Sequence, residues 1–218
     1  MIEFTLLFEA SVFSFALSYK HKVTVLSLKQ NELLFKELSH RVQNNLQSII
    51  SILSLQKNRV KEIEVKEYLQ ETISRIRAIS LMHETLQNSK QVGEVNMQEY
   101  LSALIKPYRD LNKEISFSFS CDDNLLLGIE KLTPLALIIN ELITNSVKHA
   151  FSNTEHPSVT LKLYSSDGYE FIYEDSGEGY GEPKESLGSL LIQNLSNSQL
   201  KGKYHIDSKE KYIFSLKF

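Results

Sequence analysis

From Val23 to about Asn58 the chain runs without a glycine or a proline, and helix formers dominate. Such a stretch predicts a long α-helix. Phe35, Leu38, Val42, Leu46, Ile49 and Leu53 recur at helical spacing and make one apolar stripe. At about 100° per residue, His40 falls nearly opposite that stripe, with Asn44, Gln47 and Ser51 on its side. A second helix is predicted from about Glu62 to Asn88, where Val65, Leu69, Ile73, Ile76 and Ile79 form a matching face. The short link Lys57-Asn58-Arg59 implies an antiparallel hairpin. Two helices alone bury little surface, so a homodimer is expected, with two hairpins completing a four-helix bundle.

The 218 residues suffice for one large domain or two small ones. With 42% hydrophobic residues the chain should be globular. A net charge of -3 gives no basic footprint, so no nucleic-acid partner is expected. The lone Cys121 excludes an intrachain disulfide and fits a reducing, cytoplasmic setting. Phe4 to Tyr19 is largely apolar, but Glu9 interrupts it and Glu3 stands just before it. It is short for a membrane span, which needs about 20 apolar residues. It reads either as a buried or interfacial helix, or as the tail end of a membrane span with Lys20 and Lys22 on the cytoplasmic side.

After Gly93 the pattern changes. Asn96 to about Tyr108 is predicted helical, and Ile115 to Ser120 alternates like a half-buried strand. Leu125 to Ile129 reads as another strand. Leu132 to Ala150 reads as a helix started by Thr133 and Pro134. Val159 to Tyr164 and Tyr169 to Glu174 form a hairpin across Asp167-Gly168. Leu187 to Leu200 is helical, and Lys203 to Ile206 and Tyr212 to Phe218 are closing strands. The fold class is α+β, in three parts: an apolar segment over 1–22, a helical hairpin over 23–92, and an α/β sandwich over 93–218.

On the helix Leu132 to Ala150, Glu141, Asn145 and Lys148 share one face, being four and three residues apart. The amide oxygen of Asn145 suits Mg²⁺, a hard cation that prefers oxygen. Lys148 can neutralise phosphate, and Glu141 can hold a water or act as a base. A solvated polar face would look the same, and alone the trio would favour that reading. Asp175-Ser176-Gly177-Glu178-Gly179 shifts the balance. Its carboxylate, at a strand end, can accept from an adenine amino group, and its glycines let backbone approach a ligand. Gly188 opens the next helix, where N-termini favour phosphate.

Three segments in this order, Asn140-Glu141-Leu142-Ile143-Thr144-Asn145-Ser146-Val147-Lys148-His149, Asp175 to Gly179, and Ser186-Leu187-Gly188, resemble the ATP-binding domain of sensor histidine kinases, the Bergerat (GHKL) fold. The segment His40-Arg41-Val42-Gln43-Asn44-Asn45 resembles the phosphoacceptor helix of one subfamily, in which Arg follows the phosphorylated His and an Asn pair comes soon after. The likeness runs from about residue 32 to the C-terminus. It implies His40 as phosphoacceptor, Asn145 as Mg²⁺ ligand, Lys148 as phosphate contact and Asp175 as adenine contact. Gly177, Gly179 and Gly188 would shape the pocket and its lid. The chain departs from the pattern at Ser39, Gln43, Ser189 and Lys209-Glu210-Lys211. Leu6 to Lys22 also resembles the last span of seven-transmembrane receptor kinases.

The resemblance implies autophosphorylation of His40 from Mg-ATP and transfer to an aspartate of a separate response regulator. Glu37, one turn before His40, can orient or deprotonate the imidazole. Asn44, one turn after it, can position a water for the reverse phosphatase reaction. His149 can line the nucleotide pocket, or simply complement the helix C-terminus. His83 lies on the apolar stripe of the second helix and reads as structural. Two alternatives stand beside the kinase: a dimeric phosphotransfer scaffold with a degenerate ATP domain, and an ATPase or serine kinase of the same fold.

Overall fold

The computed structural model describes residues 2–89, 93–177, 186–208 and 211–218. Its first element, α1, runs unbroken over Ile2–Arg59, so the apolar segment and the first hairpin helix are one helix. Helix α2 covers Ile63–Asn88 and packs along α1. The link lies at 60–62, three residues later than the sequence indicates. Lys57-Asn58-Arg59 remain helical, and Lys57 and Arg59 sit in the last turn, where cations complement the helix dipole. Among the described residues, no helix is long and apolar enough to cross a membrane. Phe13, Phe15, Leu17 and Tyr19 are exposed in this chain, so its own core does not bury them.

The hairpin register is set by polar contacts along one edge. Gln87 Nε2 donates to Gln43 Oε1 at 2.8 Å, Gln47 Nε2 to Ser80 Oγ at 3.2 Å, and Lys57 Nζ to Gln70 Oε1 at 2.6 Å. The apolar stripe divides. Leu46 and Leu53 are half-buried towards α2, with Ile50 fully buried, whereas Leu38, Val42 and Ile49 stay exposed. On α2, Val65 is also exposed, while Ile73 is buried and Leu69, Ile76 and Ile79 are intermediate.

Beyond the hairpin the order is β1 (Glu94–Asn96), α3 (Met97–Leu111), β2 (Ser116–Cys121), β3 (Leu126–Gly128) and α4 (Ile129–Asn145). A π-helical turn, Ser146–Ala150, extends α4. Then come β4 (Ser158–Ser166), β5 (Gly168–Asp175), α5 (Leu187–Asn194) with a second π turn over Leu195–Gln199, β6 (Lys203–Asp207) and β7 (Tyr212–Lys217). The main sheet has the order β2-β4-β5-β7-β6, with β2 and β4 parallel and the other pairs antiparallel. β1 pairs with β3 in a separate two-stranded sheet. Helix α4 starts at Ile129, one turn before the Thr133-Pro134 signal. Gly128 stands at its N-cap, and Thr133 Oγ1 bonds back to the Ile129 carbonyl at 2.7 Å.

One face of the sheet builds the core. Phe117, Val159, Leu161, Leu163, Phe171, Tyr173, Phe214 and Leu216 all join the buried cluster, as the period-2 alternation of strands requires. Leu135, Ile139 and Leu142 of α4 and Leu101 and Ile105 of α3 belong to the same cluster, and so do Ala78, Met82 and Leu86 of α2. The second hairpin helix is therefore shared between the hairpin and the sandwich.

His83 lies on this shared helix. Its Nδ1 is buried with no hydrogen-bond partner among the described residues, and burial pulls its pKa below the ordinary histidine value. The unfolded chain binds a proton at His83 near the ordinary value, about 6.5, while the folded chain resists it. Stability from this source is complete above that value and falls as pH drops through it towards the lower folded pKa. Thermal melts at about pH 7.5 and about pH 5.5 should show the acid-side loss, and His83→Gln should flatten it.

Candidate functional site

Helix α4 and its π turn carry Glu141, Asn145, Lys148 and His149, and the described glycines of the two glycine segments, Gly177 and Gly188, converge on this region. A Cβ at Gly177 would stand 2.7 Å from both the Cβ and the carbonyl oxygen of Ala150, so only glycine lets the loop after β5 lie against the turn. A Cβ at Gly188 would lie 3.0 Å from Glu141 Oε2 and 4.0 Å from Asn145 Nδ2. The start of α5 is thus seated beside the Glu141 and Asn145 side chains. Ser186 caps that helix, accepting from Ser189 N at 3.2 Å while Ser189 Oγ accepts from Ser186 N at 2.9 Å. Gly179 lies outside the described residues, as do Lys209 and Glu210.

At the end of β5, Asp175 is buried. Its Oδ2 accepts from Ser146 Oγ at 2.5 Å, and its Oδ1 accepts from the Gly177 backbone N–H at 3.0 Å. Tyr173 OH donates to Ser146 Oγ at 2.6 Å. Ser146 has one proton, so donating it to Asp175 leaves its oxygen free to accept from Tyr173. The relay holds the carboxylate against the first residue of the π turn. It also explains why serine and tyrosine are tolerated in an otherwise apolar core. Tyr212 feels the same carboxylate: burial, with Asp175 nearby, pushes its pKa up to about 12.

Glu141 is buried, and both its oxygens are taken by α2. Arg75 Nε donates to Oε1 and Arg75 Nη2 to Oε2, each at 2.7 Å. The Glu141 hydrogen bond holds Arg75 above the ordinary arginine value despite its burial. Next to it, Asn140 Oδ1 accepts from Ser74 Oγ and from Tyr108 OH, both at 2.8 Å, tying α2, α3 and α4 together. Lys148 reaches the same helix, donating to Glu71 Oε1 at 2.6 Å. Asn145 is half-buried, and among the described residues its side chain has no hydrogen-bond partner. An unengaged amide oxygen at that point fits a Mg²⁺ ligand, since this cation takes few protein oxygens and keeps several waters. Among the described residues no group of three or more His, Cys, Asp or Glu could hold a metal. His149 is exposed and has no hydrogen-bond partner among the described residues.

A cavity of about 420 Å³ borders Lys148, lined also by Glu114, Val147, Phe151 and Glu155. Of the predicted site residues only Lys148 lines it, so it does not coincide with the Asp175, Asn145 and Gly188 constellation.

His40 stands apart from this group. It is exposed on α1, and Asn44 Nδ2 lies 3.3 Å from its Nδ1. Glu37 faces Arg41 at 2.7 Å, and this guanidinium holds its carboxyl below the usual carboxylate value. His40 and Asn44 are therefore brought together, whereas Glu37 is engaged by the arginine that follows the histidine. Sequence reasoning passed over Ser74, Arg75, Glu71, Tyr108, Ser146 and Tyr173. The only trace of the first three was a charged i,i+4 pair, Glu71 and Arg75, on the second helix.

Residues 37–112 match HisKA_2, a family described as histidine kinase. Over 185 residues the chain is 29% identical to the sensor histidine kinase PdtaS of Mycolicibacterium smegmatis, covering 81% of this chain and 37% of that protein. It thus spans well under half the length of this curated relative. Among solved structures, the blue-light activated histidine kinase EL346 of Erythrobacter litoralis superposes with a TM-score of 0.65 at 17% identity, covering 84% of this chain and 58% of that one. The histidine kinase domain of the same protein gives 0.61 at 18% identity, covering 78% and 94%. The fold is the helical hairpin and α/β sandwich of histidine kinase domains.

The Tyr173-Ser146-Asp175 relay makes a direct stability prediction. Ser146→Ala strips a buried carboxylate of one donor, so it should cost about 1–3 kcal/mol in a urea titration. Tyr173→Phe, which leaves Asp175 its donor, should cost less.

Proposed function

We propose that the chain is the core of a sensor histidine kinase that phosphorylates His40 from Mg-ATP. It would then pass the phosphoryl group to an aspartate of a separate response regulator. The observation that carries this reading is the meeting of Asp175, Gly177, Asn145 and Gly188 around the end of α4, in a chain that also presents an exposed histidine on a hairpin helix. The named relatives support it: PdtaS and EL346 are both called histidine kinases.

In this reading Asp175 accepts from the adenine amino group, and Gly177 lets the loop that follows Asp175 lie against the π turn. Lys148 balances phosphate charge, and Gly188 keeps the start of α5 clear for the phosphates. Asn145 would hold Mg²⁺, whose bound charge would offset that of the phosphate oxygens. A neutral imidazole nitrogen of His40 supplies the electron pair for the new N–P bond, the bond to the ADP oxygen breaks, and the ring proton departs. Glu37, held ionised by Arg41, stands one turn away to receive that proton. Asn44, beside Nδ1, fixes the ring, and it can position water for the reverse reaction. Catalysis of this kind is mostly positioning and charge neutralisation.

The exposed strip Leu38, Val42 and Ile49, with Ile52 and Leu55 beyond it, supports the homodimer. A single hairpin leaves that strip in water, and a second hairpin would cover it. The divisions at about residues 22 and 92 belong to the same proposal, with hairpin and catalytic parts acting as separate functional units.

Incubation with γ-labelled ATP should give an acid-labile label in the wild type and none in His40→Ala. Asn145→Ala should lower the label at least about tenfold. Label persisting in His40→Ala would refute the assignment. In light scattering at micromolar concentration the mass should equal two chains, and Ile49→Glu should shift it towards one.

A further inference from the structure

Two cationic side chains at the candidate site, Lys148 of the π turn and Arg75 of α2, are both occupied by carboxylates, and one of these carboxylates comes from the hairpin. Lys148 Nζ holds Glu71 Oε1 at 2.6 Å, and Arg75 Nη2 lies 3.9 Å from Glu71 Oε2. The Glu71 carboxylate thus sits between a lysine and an arginine, as a phosphate oxygen would. Arg75 in turn covers both oxygens of Glu141. The side chains are partly shielded: Glu71 is 29% exposed, Lys148 31% and Arg75 17%.

The position along the hairpin matters as much as the pairing. Gln43, one turn after His40, is bonded to Gln87 of α2. Arg75 lies nearer the hairpin turn, about 18 Å along the helix axis from Gln87 at 1.5 Å per residue. In this docked arrangement the phosphate end of the candidate site is therefore far from His40. Direct transfer to the histidine of the same chain is out of reach until the sandwich moves.

We propose that Glu71 is an internal phosphate mimic. It occupies the phosphate seat of Lys148 and, with the Arg75–Glu141 pair, latches the sandwich to the hairpin in a resting position. Binding of a nucleoside triphosphate exchanges the Glu71 carboxylate for phosphate on Lys148 and removes that part of the latch, leaving the Arg75–Glu141 pair and the apolar contacts of Ala78, Met82 and Leu86 to be given up as the sandwich travels towards a histidine. The inference rests on the nucleotide reading of the site. It adds two hairpin residues, Glu71 and Arg75, to that site as positioning residues.

The test compares affinities for ATP and for adenosine in the wild type, Glu71→Gln and Glu71→Ala, by competition against a fluorescent adenine nucleotide with Mg²⁺ present. Adenosine has no phosphate to compete with Glu71, so its affinity should stay the same in all three. If the latch leaves about one molecule in ten open, ATP should bind about tenfold more tightly to both variants. An ATP affinity unchanged in both variants, while adenosine binding holds, overturns the inference alone. ATP and adenosine weakening together would make Glu71 a structural residue and also overturn it. A wild type that binds neither ligand overturns the nucleotide reading, and the inference with it.

Discussion

The architecture turns on one ion pair, Arg75 with Glu141, which crosses from the hairpin into the sandwich. A buried carboxylate and a part-buried guanidinium gain little net stability from each other, because both leave water to meet. Their value lies in the penalty for parting: a partner left alone in the interface costs at most about 3–5 kcal/mol, the figure for a fully buried pair. The pair therefore fixes how α4 sits on α2 without welding it there. A group that replaces one member on equal terms removes this polar tie and leaves the apolar contacts of Ala78, Met82 and Leu86. An apolar interface of the same size offers no such exchange.

Around that pair, α2 serves two cores at once. Ala78, Met82 and Leu86 are counted among the buried residues of the sandwich, while Ile73 and the Gln47–Ser80 contact lie along the hairpin. The Ser74-Tyr108-Asn140 node sits where these environments meet, so three helices agree on one set of hydrogen bonds. The π turn after α4 completes the arrangement. It gives Ser146 to Asp175 and Lys148 to Glu71, two directions from one turn of backbone. Such turns recur at functional sites.

Much of this was legible in the sequence because periodicity is local. The stripe on the first helix, the alternation of Ile115 to Ser120 and the hairpin across Asp167-Gly168 each need only a short window to be read. β1 escapes because one polar-apolar-polar repeat over three residues is too short to mark a strand, although Val95 is fully buried. The start of α4 was read a turn late, since Thr133 and Pro134 resemble start signals while Gly128 does that work. The contacts that organise the site were beyond reach. Arg75 and Glu141 are 66 residues apart and Glu71 and Lys148 are 77 apart, and no periodicity links such pairs. The glycines at 177 and 188 could be singled out, but what they make room for appears only once α4 is in place.

The first helix is one piece from Ile2 to Arg59, roughly 87 Å at 1.5 Å per residue. A helix without a joint behaves as a shaft. Any rotation of it about its own axis would have to break the Gln43–Gln87 and Gln47–Ser80 contacts that set how His40 faces relative to α2. The orientation of His40 and the arrangement around Asn145 and Asp175 are thus set by different contacts of the fold.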